Sequence, residues 1–139
     1  GKEGLRVFLS YTSADRADAR RVRKLLSQRP NLQIFTTEDL SAGENWESKL
    51  RDELARCEVF MVLLSPNSVD SRWVLHELGA AWALDKPILP VVTDPQVVSK
   101  IPLKLRRVDI VQIKDLEKPE VVGRVLDRYE KVATSHKSG

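Results

Sequence analysis

The 139-residue chain is predicted to fold as an α/β protein: a flavodoxin-like three-layer sandwich around a five-stranded parallel sheet of order 2-1-3-4-5. Two observations predict it. Short apolar runs alternate with longer amphipathic ones, the pattern of repeated β-α units. One run, Val59-Phe60-Met61-Val62-Leu63-Leu64, is apolar without any alternation, as expected of a strand covered on both faces and so central in the sheet. Right-handed crossovers between parallel strands then put helices on both faces.

Each element follows in order. Leu5-Arg6-Val7-Phe8-Leu9-Ser10 reads as the first strand, and Ser13 is expected to cap the helix behind it. Ala19, Val22, Leu25 and Leu26 recur at helical spacing, and Pro30-Asn31 ends that helix. A short second strand spans 32–35, followed by a polar loop over 36–44. Trp46, Leu50 and Leu54, at i, i+4 spacing, mark a second helix. The third strand, 58–64, leads through the turn Ser65-Pro66-Asn67-Ser68 into a third helix, capped by Asp70 or Ser71 and running to about Leu84. Val74, Leu78, Ala81 and Trp82 form its core stripe. A fourth strand covers 87–92, where Pro87 and Pro90 argue for a strand start or a place near an edge. A short helix and a loop are expected within 94–107, and an edge-like fifth strand over 108–113. Pro119 suits a first helical turn, and Val122, Val125, Leu126, Tyr129 and Val132 mark the last helix. One domain over 1–139 is expected, with its core from about 5 to 133 and a tail over 134–139 without fixed structure. The abrupt start at Leu5 points to one domain of a longer protein.

Composition narrows the function. A chain this size buries roughly two-thirds of its unfolded surface. Its 23 basic and 20 acidic residues leave a net charge of +3, too small and scattered to argue for nucleic acid. The densest basic cluster, Arg16, Arg20, Arg21, Arg23 and Lys24, reads as the solvated face of a helix. A single cysteine, Cys57, excludes a disulfide framework and fits a reducing, cytoplasmic compartment. No segment is long and apolar enough to span a bilayer, and no signal peptide opens the chain.

In a doubly wound sheet, ligands bind beyond the carboxyl ends of the strands, where the strand order reverses between strands 1 and 3. That rule singles out Ser10-Tyr11-Thr12-Ser13 and the stretch from Ser65 through Arg72, with the 36–44 loop beside the first. Hydroxyls are dense there, and hydroxyls with helix N-termini suit ribose or phosphate groups. Other chemistries drop out. There is no phosphate loop and no dinucleotide fingerprint. His76 and His136 are too far apart for a metal cluster or a serine triad, and the apolar flank Val59-Phe60-Met61 makes Cys57 read as a buried residue rather than an activated nucleophile. A phosphoacceptor domain needs carboxylates where this chain has Ser10 and Ser65, and a flavin loop would need glycine in Tyr11-Thr12-Ser13.

Taken together, Val7-Phe8-Leu9-Ser10-Tyr11 with Asp15, then Phe35, Asp39-Leu40 and Gly43, then Leu63-Leu64-Ser65-Pro66, Ser71-Arg72-Trp73 and Glu77-Leu78 resemble a Toll/interleukin-1 receptor (TIR) domain. The resemblance is specific from about Leu5 to Val92. Glu77-Leu78-Gly79-Ala80-Ala81-Trp82 before Lys86-Pro87-Ile88 looks closer to bacterial members than to animal receptor tails. Two departures stand out. Thr36-Thr37 replaces the acidic residue common after the second strand, and Ala42 replaces the proline of receptor-type signalling loops.

The resemblance implies an activity. Part of the family cleaves NAD with the glutamate of a W-x-x-x-E motif, present here as Trp73-Val74-Leu75-His76-Glu77. One helical turn separates the two residues, which puts indole and carboxylate on one stripe. On its own, a glutamate one turn from a tryptophan is usually just solvated; the family likeness is what makes Glu77 the catalytic candidate. It also implies substrate contacts from Tyr11, Thr12, Asp39, Trp46, Ser71 and Trp73, with the 36–44 loop as a lid. Trp46 and Trp73 could equally be core residues. NAD is then a substrate, with no cofactor and no metal. Expected partners are further TIR domains through self-association and a fused or partnered sensor domain, with neither nucleic acid nor a membrane. The product would be nicotinamide with ADP-ribose or a cyclic form, released by an assembly-activated immune effector. The alternative is a non-catalytic TIR-TIR adaptor; a third reading, nucleotide sensing, has little support in the residues.

Overall fold

In the computed structural model, residues 4–29, 31–36, 46–101 and 110–138 are described. Five parallel strands form one sheet in the order β2-β1-β3-β4-β5, with β1 at Leu5–Ser10, β2 at Leu32–Thr36, β3 at Val59–Leu64, β4 at Ile88–Val92 and β5 at Val111–Gln112. Among the described residues four α-helices connect and flank them: α1 at Arg16–Leu26, α2 at Trp46–Arg56, α3 at Arg72–Ala83 and α4 at Pro119–Ser138. The predicted class and strand order are those observed.

The central place of β3 follows from its composition. All six of its residues are 0% exposed, which is possible only with a strand on each side and a helix layer on each face. Side chains alternate across a strand, so β3 feeds two cores. Val59, Met61 and Leu63 pack with Val22 and Leu26 of α1 and Leu126 of α4. Phe60, Val62 and Leu64 pack with Leu54 of α2 and with Leu78 and Ala81 of α3. The three layers are therefore α1/α4, sheet, and α2/α3. Leu78 and Ala81 keep their predicted core places, while the side chains of Val74 and Trp82 lie outside the described part.

Pro90 sits in a strand paired on both sides, one in from the edge. Phe60 donates its N–H to the Pro87 carbonyl at 2.8 Å, and Thr93 donates its own to Leu64 at 3.0 Å. Donors alternate along a parallel strand, so those of Leu89, Val91 and Thr93 face β3 while position 90 faces β5. There, among the described residues, β5 pairs Val111 with Val91 and Gln112 with Val92. The missing donor falls where little pairing would use it.

Several local expectations are corrected. Ser13 does not cap α1: Ser13–Asp15 forms a 3-10 turn, and α1 starts at Arg16 without a side-chain cap. Asn31, with φ of 65°, takes the left-handed turn into β2. The fifth strand is shorter than 108–113, because Ile113–Glu117 is a 3-10 turn. Val111, Ile113 and Leu116 are all buried, so a strand that tightens into such a turn imitates a longer alternating strand; residues 108 and 109 lie outside the described part. Within 94–107 a 3-10 helix, Pro95–Lys100, is capped by the Asp94 carboxylate, which accepts the Gln96 N–H at 2.9 Å. Finally, α4 is helical to Ser138 rather than ending near Thr134. No glycine or proline after Gly123 interrupts it before Ser138, and helix propagation is cooperative.

Candidate functional site

The carboxyl ends of β1 and β3 meet where the strand order reverses, and the loops leaving them supply the polar groups. Ser65, just past β3, donates its hydroxyl to Asp15 Oδ1 at 2.7 Å. The Ser65 oxygen also accepts the Asn67 N–H at 3.1 Å, and Ser68 Oγ accepts the Ser65 N–H at 3.0 Å. Asp15 and Ser65 are 3% and 4% exposed, so the contact is dry. Among the described residues, three buried polar atoms at the same end have no partner: Ser10 Oγ, Thr12 Oγ1 and Asp15 Oδ2. Such atoms normally find a partner, and each left unmet costs about 1–3 kcal/mol. Residues 8, 10 and 12 lie on one face by alternation, and Phe8 packs in the α2/α3 core. The Ser10 hydroxyl is thereby turned toward the layer that contains α3.

α3 begins seven residues beyond Ser65. Ser71 precedes its first residue; its N–H goes to the Ser68 carbonyl at 2.9 Å, and its carbonyl accepts the Leu75 N–H at 3.1 Å. Ser71 thus opens the helix through its main chain, with its side chain half-buried. Trp73 and Glu77 both belong to the α3 backbone, one turn apart; their side chains lie outside the described part. The same holds for the side chain of Trp46, the first residue of α2, while Asp39 and the 37–45 segment lie wholly outside it. Thr12 is at the strand end as expected. Tyr11 differs from its expected place in the pocket: it is 6% exposed and packs in the α1/α4 core, because alternation carries residue 11 to the face opposite Ser10. His76 is exposed, and Cys57 is buried, its Sγ donating to the Leu54 carbonyl at 3.1 Å. Burial pushes the Cys57 thiol up to about 11, against the attraction of Lys86. It is no nucleophile at neutral pH.

Asp15 was not among the predicted site residues. It entered only as one of the residues that carry the TIR resemblance; its partner lies 50 positions away, and nothing in the sequence joins the two. Nearby, an open cleft of about 390 Å³ lies at the ends of β4 and β5. Asp18 and Asp94 oppose Arg21 and Lys114 along its wall, a balance that favours no polyanion.

A doubly wound sheet with a polar floor at the strand reversal defines a class of α/β domain built to receive a ligand at its strand tips. The family model of the TIR domain matches residues 7–126, and the chain belongs to that family. Among solved structures it is similar to the TIR domain of the Toll-related receptor TRR-2 from Hydra magnipapillata, with TM-score 0.68 and 20% identity over 88% of this chain and 94% of that one. It is also similar to a TIR-STING receptor from C. gigas, in complex with 2',3'-cGAMP, with TM-score 0.66 and 21% identity over 84% of this chain. The chain spans 38% of that receptor's length. A 2-desoxiribosyltransferase from Leishmania mexicana matches with TM-score 0.58 and 19% identity over 87% of this chain and 95% of that one. At such identities the likeness establishes the fold. No curated protein matches the chain in sequence. Among the described residues, no helix is long and apolar enough to cross a membrane.

Proposed function

We propose that this TIR domain is an NAD+ nucleosidase that cleaves the bond between nicotinamide and ribose, with Glu77 as its catalytic carboxylate. The observation that carries the reading is the Trp73-x-x-x-Glu77 stretch within α3, the helix that leaves the strand reversal point in a chain of this family. The chemistry suits a lone carboxylate. Most glycosidases need a second carboxyl group to protonate a poor leaving oxygen. Nicotinamide leaves a cationic pyridinium as a neutral molecule, so no general acid is required. The C–N bond breaks with its electron pair going to nicotinamide, and the ribose is left as an oxocarbenium-like cation. Glu77 stabilises that charge and hydrogen-bonds the ribose hydroxyls, and water, or a second atom of the same nucleotide, captures the cation. Trp73 walls the site against bulk water. Thr12 and Ser71 supply hydroxyls to ribose or phosphate; the roles expected of Asp39, Trp46 and the 36–44 loop fall outside the described part. In a longer protein, a sensor region would cluster such domains and switch turnover on, making this the effector part of an immune protein.

Incubating the chain at high concentration with NAD and following nicotinamide release tests the reading. Glu77→Ala should fall to background while its folded-state spectrum is unchanged. Equal background rates for both proteins, even after forced clustering, would end the enzymatic account.

A second reading, a non-catalytic adaptor acting through TIR-TIR contacts, draws on the exposed side chain of Leu75, 44% accessible on α3. It predicts cognate TIR binding that is indifferent to Glu77→Ala.

A further inference from the structure

A continuous line of hydrogen bonds joins the end of β1 to the first turn of α3. The Asp15 N–H holds the Thr12 carbonyl at 2.9 Å. Asp15 Oδ1 accepts the Ser65 hydroxyl at 2.7 Å, and Ser65 Oγ accepts the Asn67 N–H at 3.1 Å. Ser68 Oγ accepts the Ser65 N–H at 3.0 Å. The Ser68 carbonyl then accepts the Ser71 N–H at 2.9 Å, and the Ser71 carbonyl the Leu75 N–H at 3.1 Å. Asp15 is 3% exposed, yet among the described residues its Oδ2 has no partner. A carboxyl group in an apolar interior is costly, and an apolar side chain would fill the same space without that cost. What the carboxyl group adds is a directional bond to the turn after β3.

We propose that Asp15 is a positioning residue: through Ser65 it fixes the lead-in of α3 against the end of β1, and so sets where the first turns of α3 sit. Its catalytic consequence rests on the nucleosidase reading, because Trp73 and Glu77 belong to those turns; its structural half does not. A carboxylate displaced by about 1 Å from a developing cation loses up to about a hundredfold in rate without a matching loss of substrate binding.

The test compares the full chain with Asp15→Asn, Asp15→Leu and Ser65→Ala by amide hydrogen exchange. Asp15→Leu and Ser65→Ala should speed exchange at Asn67, Ser71 and Leu75 roughly tenfold, while the Met61 amide in β3 keeps its protection. Asp15→Asn retains an acceptor oxygen for Ser65 and should stay near wild type. Should Asp15→Leu fail to fold, Ser65→Ala, which removes one oxygen, carries the comparison. Unchanged exchange in Ser65→Ala, or an Asp15→Asn as perturbed as Asp15→Leu, overturns the inference. In the NAD assay, Ser65→Ala should lower kcat roughly tenfold to a hundredfold and leave KM within about threefold. An unaltered kcat beside an active wild type overturns the catalytic half. A wild type that releases no nicotinamide ends the functional reading instead, and the exchange result still decides the structural half.

Discussion

The main-chain N–H of Lys86 reaches back to the carbonyl of Ala81 at 3.0 Å, closing the C-terminus of α3. Between them Asp85 takes the left-handed conformation, with φ of 57°. This six-to-one bond with a left-handed residue inside it is a Schellman closure, where glycine is the usual occupant because it has no Cβ to clash. Asp85→Gly should therefore raise stability by about 0.5–1 kcal/mol, and Asp85→Val should lower it by about 1 kcal/mol or more. Denaturant unfolding of both variants checks the sign.

Met61 stands in the middle of β3 and is 0% exposed. Met61→Ala removes three buried heavy atoms from a site hemmed in on every side and should cost about 2–5 kcal/mol. Against a total stability of about 5–15 kcal/mol, the loss would be plain in a thermal melt.

Cys57 makes stability depend on alkaline pH. The thiol is held protonated to about 11 in the folded chain, against an ordinary 9.0. Above pH 9 the unfolded chain gives up this proton while the folded chain keeps it, so the folded state binds more protons and loses relative stability as pH rises. The contribution is full below pH 9, declines up to about 11 and is flat beyond, amounting to roughly 2–3 kcal/mol at most. Unfolding series from pH 8 to 11 should show a shallower decline for Cys57→Ala than for wild type.

Leu75 separates the two functional readings. At 44% exposure it contributes little to the core, so Leu75→Glu should change stability by less than about 0.5 kcal/mol. Under the adaptor reading the same change weakens self-association in light scattering. Under the enzymatic reading, turnover of artificially tethered domains survives it.

The fold was legible because it is written in periodicity. The unbroken run of β3 declares a strand buried on both faces, and the stripe of Ala19, Val22 and Leu26 declares a helix with one buried side. The site was less legible. The proposed pair, Trp73 and Glu77, lies within five residues, so the family likeness alone was enough to single it out. Asp15 and Ser65 each belong to a stretch that carries the family resemblance, but their contact across 50 positions forms only on folding and no local pattern marks it. Tyr11 misled for a related reason: an aromatic with a hydroxyl at a strand tip reads as a ligand contact until the alternation of β1 turns it into the core. The end of β5 misled because a 3-10 turn buries residues 111, 113 and 116 much as a longer strand would.

Pro90 also governs how the sheet responds to load. Among the described residues two pairs join β4 to β5 and five join β3 to β4, and the proline brings no donor to the outer seam. Tension applied through the C-terminal helix therefore meets the sheet at its least-stitched border. β5 and α4 are expected to separate there before the inner strands and the tips around Ser10 and Ser65, an order that a force-extension trace of the chain pulled from its C-terminal end checks.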